Sequence, residues 1–529
     1  MNQPIRRLSF LVAMLFGALL ISTTWIQFVQ AQSLDNRPGN RRTLLASYSR
    51  ERGAILVGGS PVAESVPTKD ELKYVRTYPS GKLYSQVTGY YSFIYGAGGG
   101  IEGSEDPLLS GQSDTLFYRR MVDMVTGKVA SGASLELTIN AKAQLAADQA
   151  LGNQRGAVVA LDPRTGAILA MVSHPQYNPT ALSSHNLDAV ATAWKALNAD
   201  PGRPAVNRAI AGDLYPPGST FKLITAAAAL SSGKFTEESQ IPGPARLDLP
   251  QTTISLPTDD LQPCGPGNKT SLTHALEISC NTAFGWLGLQ LGAAELRTQA
   301  AKFGFGDALR VPMHVTPSTV PAQLNAPQTA QAAIGQYDVR VTPLQMAIVG
   351  AAIANKGIVM SPYLIKDTLN DHLDIIDKTE PTQLSQAISP DVAAALTRMM
   401  VTVVTSGTGT HAQIPGVVVA GKTGTAQHAT GSAPHAWFVA FAPADHPTIA
   451  VAVVVEDGGN AGSEAFGGKV AAPIARQVIE AAIKAPRGII YATLDDGTDG
   501  TDGTTQRVKK REAALSSPAD GEAESITTQ

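Results

Sequence analysis

Cysteine is almost absent from this 529-residue chain, which has only Cys264 and Cys280. With no histidine pair nearby, two cysteines fall short of the four ligands of a structural zinc site. Basic surplus is missing too: the formal net charge is −3, so nothing points to a polyanion such as nucleic acid as a partner. Charged residues make up 16% and hydrophobic ones 43%, the balance of a globular chain large enough for two domains or more.

One stretch lacks charge altogether. Leu8 to Val29 is an uncharged apolar run of 22 residues behind Arg6 and Arg7, with Trp25 and Phe28 near its outer end. That length spans a bilayer. The alternative is a cleaved export signal, for which "VQA" before Gln32 supplies small residues, but the run exceeds the usual signal core. We therefore expect a short cytoplasmic tail at 1–7, a single-pass anchor at 8–30 and the rest of the chain on the extracytoplasmic side of the cell membrane. Arg37, Arg41 and Arg42 follow the span, so charge asymmetry supports that orientation only weakly. In an exported chain Cys264 and Cys280 can form a bridge, two free thiols being the alternative.

Residues 31–140 are rich in glycine, serine and tyrosine and show no long helical period, which predicts an extended strand-and-loop module. From 141 to 485 the pattern changes. Ala157–Leu161 and Ala167–Val172 flank the turn Asp162–Gly166 and predict a β-hairpin. "GVVVAGKTGTAQ", "AWFVAFAP" and "TIAVAVVVE" predict three more strands near the end. Between these sets lie alanine-rich helical segments, Leu276–Leu291 and Thr342–Asn355, and Gly468–Ile483 follows as an amphipathic helix. Strands at both ends with helices between imply an α+β fold on an antiparallel sheet whose first and last strands come together. Residues 486–529 are polar, of low complexity and without aromatics, and are expected to be disordered. The spacing of Asp496, Asp499 and Asp502 there fits no standard calcium loop.

Three short motifs carry chemistry. "PPGSTFK" puts Ser219 at a helix start and Lys222 on the same face. There the unpaired backbone N–H groups favour developing negative charge, and a desolvated lysine has a lowered pKa and can accept the serine proton. A serine that merely caps the helix is the bland alternative, and Ser231 with Lys234 repeats the spacing in a polar loop. "SCN" offers the Ser279 hydroxyl and the Asn281 amide to relay a proton and hold a substrate amide; Ser184 and Asn186 repeat that pattern ahead of the nucleophile. "KTGT", Lys422 to Thr425, is the most specific, since four fixed residues recur by chance in on the order of one in a hundred such chains. It follows a β-branched strand, and Gly424 admits a substrate backbone closely. His428 and His435 after it read as hairpin residues rather than catalytic ones.

In this order the motifs form the signature of penicillin-binding proteins and β-lactamases. With "RERGAI", "YPSGKLYSQVTGY", "GIEGSEDPLLSG", "DPRTGAILAMVSHPQYNP" and "VTPLQMA", the chain resembles the class B penicillin-binding proteins over nearly its whole length outside the tail. The resemblance implies a penicillin-binding, serine β-lactamase-like transpeptidase domain at 141–485, its antiparallel sheet five-stranded and lying between helical regions, on a non-catalytic pedestal at 31–140. It implies a D,D-transpeptidase that cross-links D-Ala-D-Ala stem peptides of peptidoglycan, with a possible carboxypeptidase side activity, and that β-lactams acylate. Ser219 would be the nucleophile and Lys222 its base. Ser279 and Lys422 would pass a proton to the leaving amine, and Asn281 would hold the donor amide. Thr423, Gly424 and Thr425 would line the substrate site, and the backbone N–H groups of Ser219 and Thr425 would form the oxyanion hole. No cofactor or metal is implied.

Class A relatives add a glycosyltransferase motif of the form EDxxFxxHxG. Here Glu105-Asp106 is followed by proline and leucines, so glycan polymerisation is expected from a membrane partner of the SEDS type. A serine β-lactamase would need a water-activating glutamate in an ExxLN-like loop, and none follows Asn281. A non-catalytic penicillin-binding sensor or scaffold is the rival of another class, against which the intact Ser219, Lys222, Ser279, Asn281 and Lys422 argue.

Overall fold

The computed structural model describes residues 2–30, 48, 50–70, 72–116, 131–428, 431–464 and 466–483. The expected disorder at 486–529 lies outside the described residues. At the N-terminus a helix runs over Asn2–Thr24 and continues as a wider turn over Trp25–Val29. The stretch Gln3–Gln27 is long and apolar enough to cross a membrane.

The N-terminal module is built on a six-stranded sheet ordered 375–378, 365–369, 134–137, 55–57, 60–67, 74–77. Its first two strands come from far along the chain, and Thr368 pairs with Leu135. Strand-and-loop structure was expected here, but short helices over Ser85–Thr88, Gly100–Ser104 and Asp106–Leu109 are also present. Glu102, fully buried, accepts from Arg52 Nε and Arg76 Nε at 2.6 Å each and from Tyr78 Oη at 3.2 Å. Burial alone would raise its pKa, yet the two guanidiniums hold the carboxyl below its ordinary value.

The second sheet has five antiparallel strands ordered Ala420–Ala426, His435–Ala442, Ile449–Val455, Gly156–Leu161 and Ile168–His174. First and last strands of the domain meet at its centre, where Val451 pairs with Ala160. These strands read as unbroken apolar runs because both faces are covered. Val158, Val451, Val453 and Phe438 pack with Ala475 and Val478 of helix Gly467–Ile483. Val159, Val439 and Ala452 pack on the opposite side with Leu344 and Ala347 of helix Pro343–Ala354. The strand Ala420–Ala426 lies at the sheet's edge, so one side of its backbone is left for another partner.

One expected helix is two. Leu276–Leu291 divides into Leu272–Glu277 and Asn281–Leu291. Ser279 stands between them at φ 61°, a left-handed conformation that no α-helix of L-residues accommodates.

Candidate active site

The site forms where three segments meet beside the edge strand. Ser219 lies in the tight turn Gly218–Phe221 that opens helix Lys222–Ser231. This turn is pressed between two backbones: Gly218 N–H donates to Gly335 O at 3.0 Å, and a Cβ on Gly218 would sit 2.6 Å from Thr425 O. Gly424 reciprocates, since a Cβ there would meet Thr220 Cγ2 at 2.9 Å and Pro217 O at 3.1 Å. Glycine at both positions is what lets the Ser219 turn and the strand touch. Trp437 Nε1 donates to Pro216 O at 3.1 Å, and Thr225 Oγ1 donates to Ala333 O at 2.7 Å. Turn and helix are thereby fixed to the sheet and to the segment leading into Gly335.

Lys222 is fully buried. Its Nζ donates to Ser279 O at 2.6 Å, Ser279 Oγ at 3.2 Å and Asn281 Oδ1 at 2.7 Å. Helical spacing led us to expect the amine on the Ser219 hydroxyl, but none of these hydrogen bonds goes to Ser219. Burial lowers the Lys222 pKa to about 7, with the charge of Asp259 acting in the opposite direction.

Lys422, also fully buried, reaches the same serine from the edge strand: its Nζ donates to Ser279 Oγ at 2.9 Å and to Thr423 O at 2.9 Å. Its pKa falls well below the usual lysine value, first through burial and then through the like charge of Lys222. The Ser279 oxygen thus accepts from two lysines, which turns its own proton away from both of them. The strained backbone of Ser279 sets the hydroxyl between them.

Asn281 opens helix Asn281–Leu291, and Cys280 before it is bonded to Cys264. The bridge packs on Gly243, where a Cβ would come within 3.0 Å of Cys264 Cβ. Asn281 Nδ2 donates to Asp259 Oδ1 at 2.8 Å. Sequence reasoning missed Asp259, because an exposed aspartate in a polar loop carries no pattern. It missed Thr408 likewise, whose hydroxyl pairs with that of Thr423 at 2.7 Å. Register places Lys422 and Gly424 on the face shared with Val439 and Trp437, and Thr423 and Thr425 on the other.

The repeated motifs stay outside. Ser231 and Lys234 are exposed at the end of helix Lys222–Ser231. Asn186 is the N-cap of helix Leu187–Ala199, and Ser184 Oγ accepts from its N–H. His428 and His435 stack at 4.0 Å beside Asp457, the one three-residue metal-donor group among the described residues. The His435 Nδ1 lone pair already accepts from Asp457 N–H at 3.1 Å, so that nitrogen is not free to ligate.

The chain is similar to known proteins over most of its length. The penicillin binding protein transpeptidase domain matches residues 156–480, and the penicillin binding protein A dimerisation domain matches residues 52–135. The chain is 45% identical over 495 residues to the peptidoglycan D,D-transpeptidase PbpA of Mycolicibacterium smegmatis, covering 92% of this chain and 99% of that one. It is 44% identical over 497 residues to the protein of the same name from Mycobacterium tuberculosis, with the same coverage. Among solved structures, the imipenem acyl-enzyme complex of M. tuberculosis penicillin-binding protein A superposes with a TM-score of 0.79 at 44% identity. It covers 83% of this chain and all of that one.

Proposed function

We propose, for a chain that belongs to the class B penicillin-binding proteins and is a serine peptidoglycan D,D-transpeptidase, that Ser219 is its nucleophile. Lys222 is the base: with a pKa lowered to about 7, a large fraction of it is neutral at physiological pH and accepts the Ser219 proton. The serine oxygen attacks the penultimate D-alanine carbonyl of a stem peptide ending in D-Ala-D-Ala. The oxyanion is received by the backbone N–H groups of Ser219 and Thr425, which the glycine contacts above bring together. Expulsion of the terminal D-alanine needs a proton on its nitrogen. Ser279 supplies it and is reprotonated from Lys222 and Lys422. Asn281 holds the donor amide, and Lys422, Thr423 and Thr425 take the terminal carboxylate beside Gly424. An amine of a second stem peptide then attacks the acyl-enzyme, forming the cross-link and returning Ser219.

The observation that carries this reading is the convergence of Lys222 and Lys422 on one serine hydroxyl, at 3.2 and 2.9 Å. β-Lactams acylate Ser219 by the same attack, and the serine β-lactamase alternative is not favoured. Residues 8–30 anchor the chain with 1–7 in the cytoplasm and the catalytic domain, 141–485, outside. The module 31–140 serves as pedestal and contact for a membrane glycosyltransferase of the SEDS type, which polymerises the glycan. The test is cross-linking of lipid-linked pentapeptide polymer by the full chain together with such a polymerase. Dimeric muropeptides should form with wild type and be lost with Ser219→Ala; cross-links made by the variant would refute the assignment.

A further inference from the structure

Asp259 stands in the loop after strand Ser255–Pro257, outside every motif of the site. One tie shapes that loop and a second holds it against the Ser279–Asn281 turn. Thr258 Oγ1 donates to Gln262 O at 2.9 Å and closes the loop on itself, and the Cys264–Cys280 bridge joins its end to the residue between Ser279 and Asn281. Asp259 is thereby delivered to Asn281, and its Oδ1 accepts from Asn281 Nδ2 at 2.8 Å.

This contact fixes which way the amide points. Asn281 Oδ1 faces the Lys222 amine at 2.7 Å while Nδ2 faces a carboxylate. The flipped rotamer would set N–H against N–H on one side and oxygen against oxygen on the other. Two lysines also face each other across Ser279. The charge that acts on Lys222 is that of Asp259, and the charges that act on Lys422 are those of Lys222 and Asp259.

We propose that Asp259 is a positioning residue of this transpeptidase: its carboxylate orients the Asn281 amide and supplies the negative charge that balances the Lys222–Lys422 pair. The proposal rests on Ser219 and Lys222 acting as nucleophile and base. Because Asp259 favours the protonated lysine, removing its charge should release the base at lower pH.

The experiment measures the second-order rate of acylation of the full chain by a fluorescent penicillin, from about pH 5.5 to 9.5. Wild type should rise through a midpoint near the Lys222 value of about 7. Asp259→Asn should move that rising limb to lower pH by about half a unit or more, with the high-pH plateau kept within about twofold because the new carbonyl accepts the same hydrogen bond. Asp259→Glu should restore the wild-type limb. Asp259→Ala should shift the limb and also lower the plateau by about tenfold, as Asn281 loses its partner. A limb unmoved or moved upward in both Asp259→Asn and Asp259→Ala overturns the proposal, even if the plateau falls. Ser219→Ala is run alongside: label retained there would overturn the nucleophile assignment itself, a failure separable from a stationary limb.

Discussion

Gly335→Ala should slow acylation at Ser219 without altering any residue proposed to react. Gly335 has φ 75°, and a Cβ there would lie 2.0 Å from Gly218 O and 2.8 Å from Phe221 Cβ. An alanine held at positive φ costs about 1–2 kcal/mol. Relieving the contact requires the Gly218 carbonyl to retreat by more than about 1 Å to ordinary van der Waals separation. That carbonyl belongs to the peptide group leading into Ser219, so the serine moves with it. A misplacement of about 1 Å at a reacting group costs roughly 100-fold in rate. The assay is acylation by a fluorescent penicillin, paired with thermal unfolding followed by circular dichroism. We expect the acylation rate constant to fall about 100-fold and the melting temperature by a few degrees. Acylation within about threefold of wild type in a folded variant would refute the claim that this glycine sets the position of Ser219.

Glu102→Ala leaves the buried Arg52 and Arg76 without their shared carboxylate and should cost about 3–5 kcal/mol in urea unfolding; a loss below about 1 kcal/mol would show the triad to be slack. Burial alone would raise the Glu456 pKa, but the hydrogen bond from Tyr215 and the charges of Arg208 and Arg155 hold it below the ordinary value of 4.5. Its contribution to stability is therefore present above the unfolded value and lost as pH falls through the native one, so Glu456→Gln should flatten the acid limb of the stability profile below pH 4.5. Cys264→Ser should slow acylation while leaving the helical circular dichroism signal intact, since the bridge braces the Ser279–Asn281 turn; equal kinetics would assign the bridge to global stability alone.

The central sheet was legible because its strands announce themselves locally: apolar runs bounded by Asp-Pro or Gly-rich turns can only be core strands, and their place at the two ends of the domain dictates that they meet. The N-terminal sheet was legible only in part. Its strand Ile365–Leu369 pairs with a segment more than two hundred residues earlier and brings Ile375–Lys378 with it as the edge strand, and nonlocal pairing leaves no mark in the strand. The break at Ser279 was invisible for a related reason. Nothing in "LEISCNTAF" forbids a helix, and the left-handed turn stands where two lysines and the bridge at Cys280 meet, contacts made from distant parts of the chain. Lys222, Ser279, Asn281 and Lys422 could be picked from motif spacing. Which atoms they offer one another could not, and the Lys222 amine turns to Ser279 and Asn281 because burial demands acceptors for each of its protons. Asp259 depends wholly on tertiary structure.

The central claim, that Ser219 becomes acylated, is tested most directly by intact-mass spectrometry of the full chain exposed to a penicillin, sampled over hours beside Ser219→Ala. The account predicts a single adduct on wild type that maps to Ser219, persists, and is missing from the variant. An adduct that survives in Ser219→Ala, or one that clears within seconds with the drug hydrolysed, would contradict it.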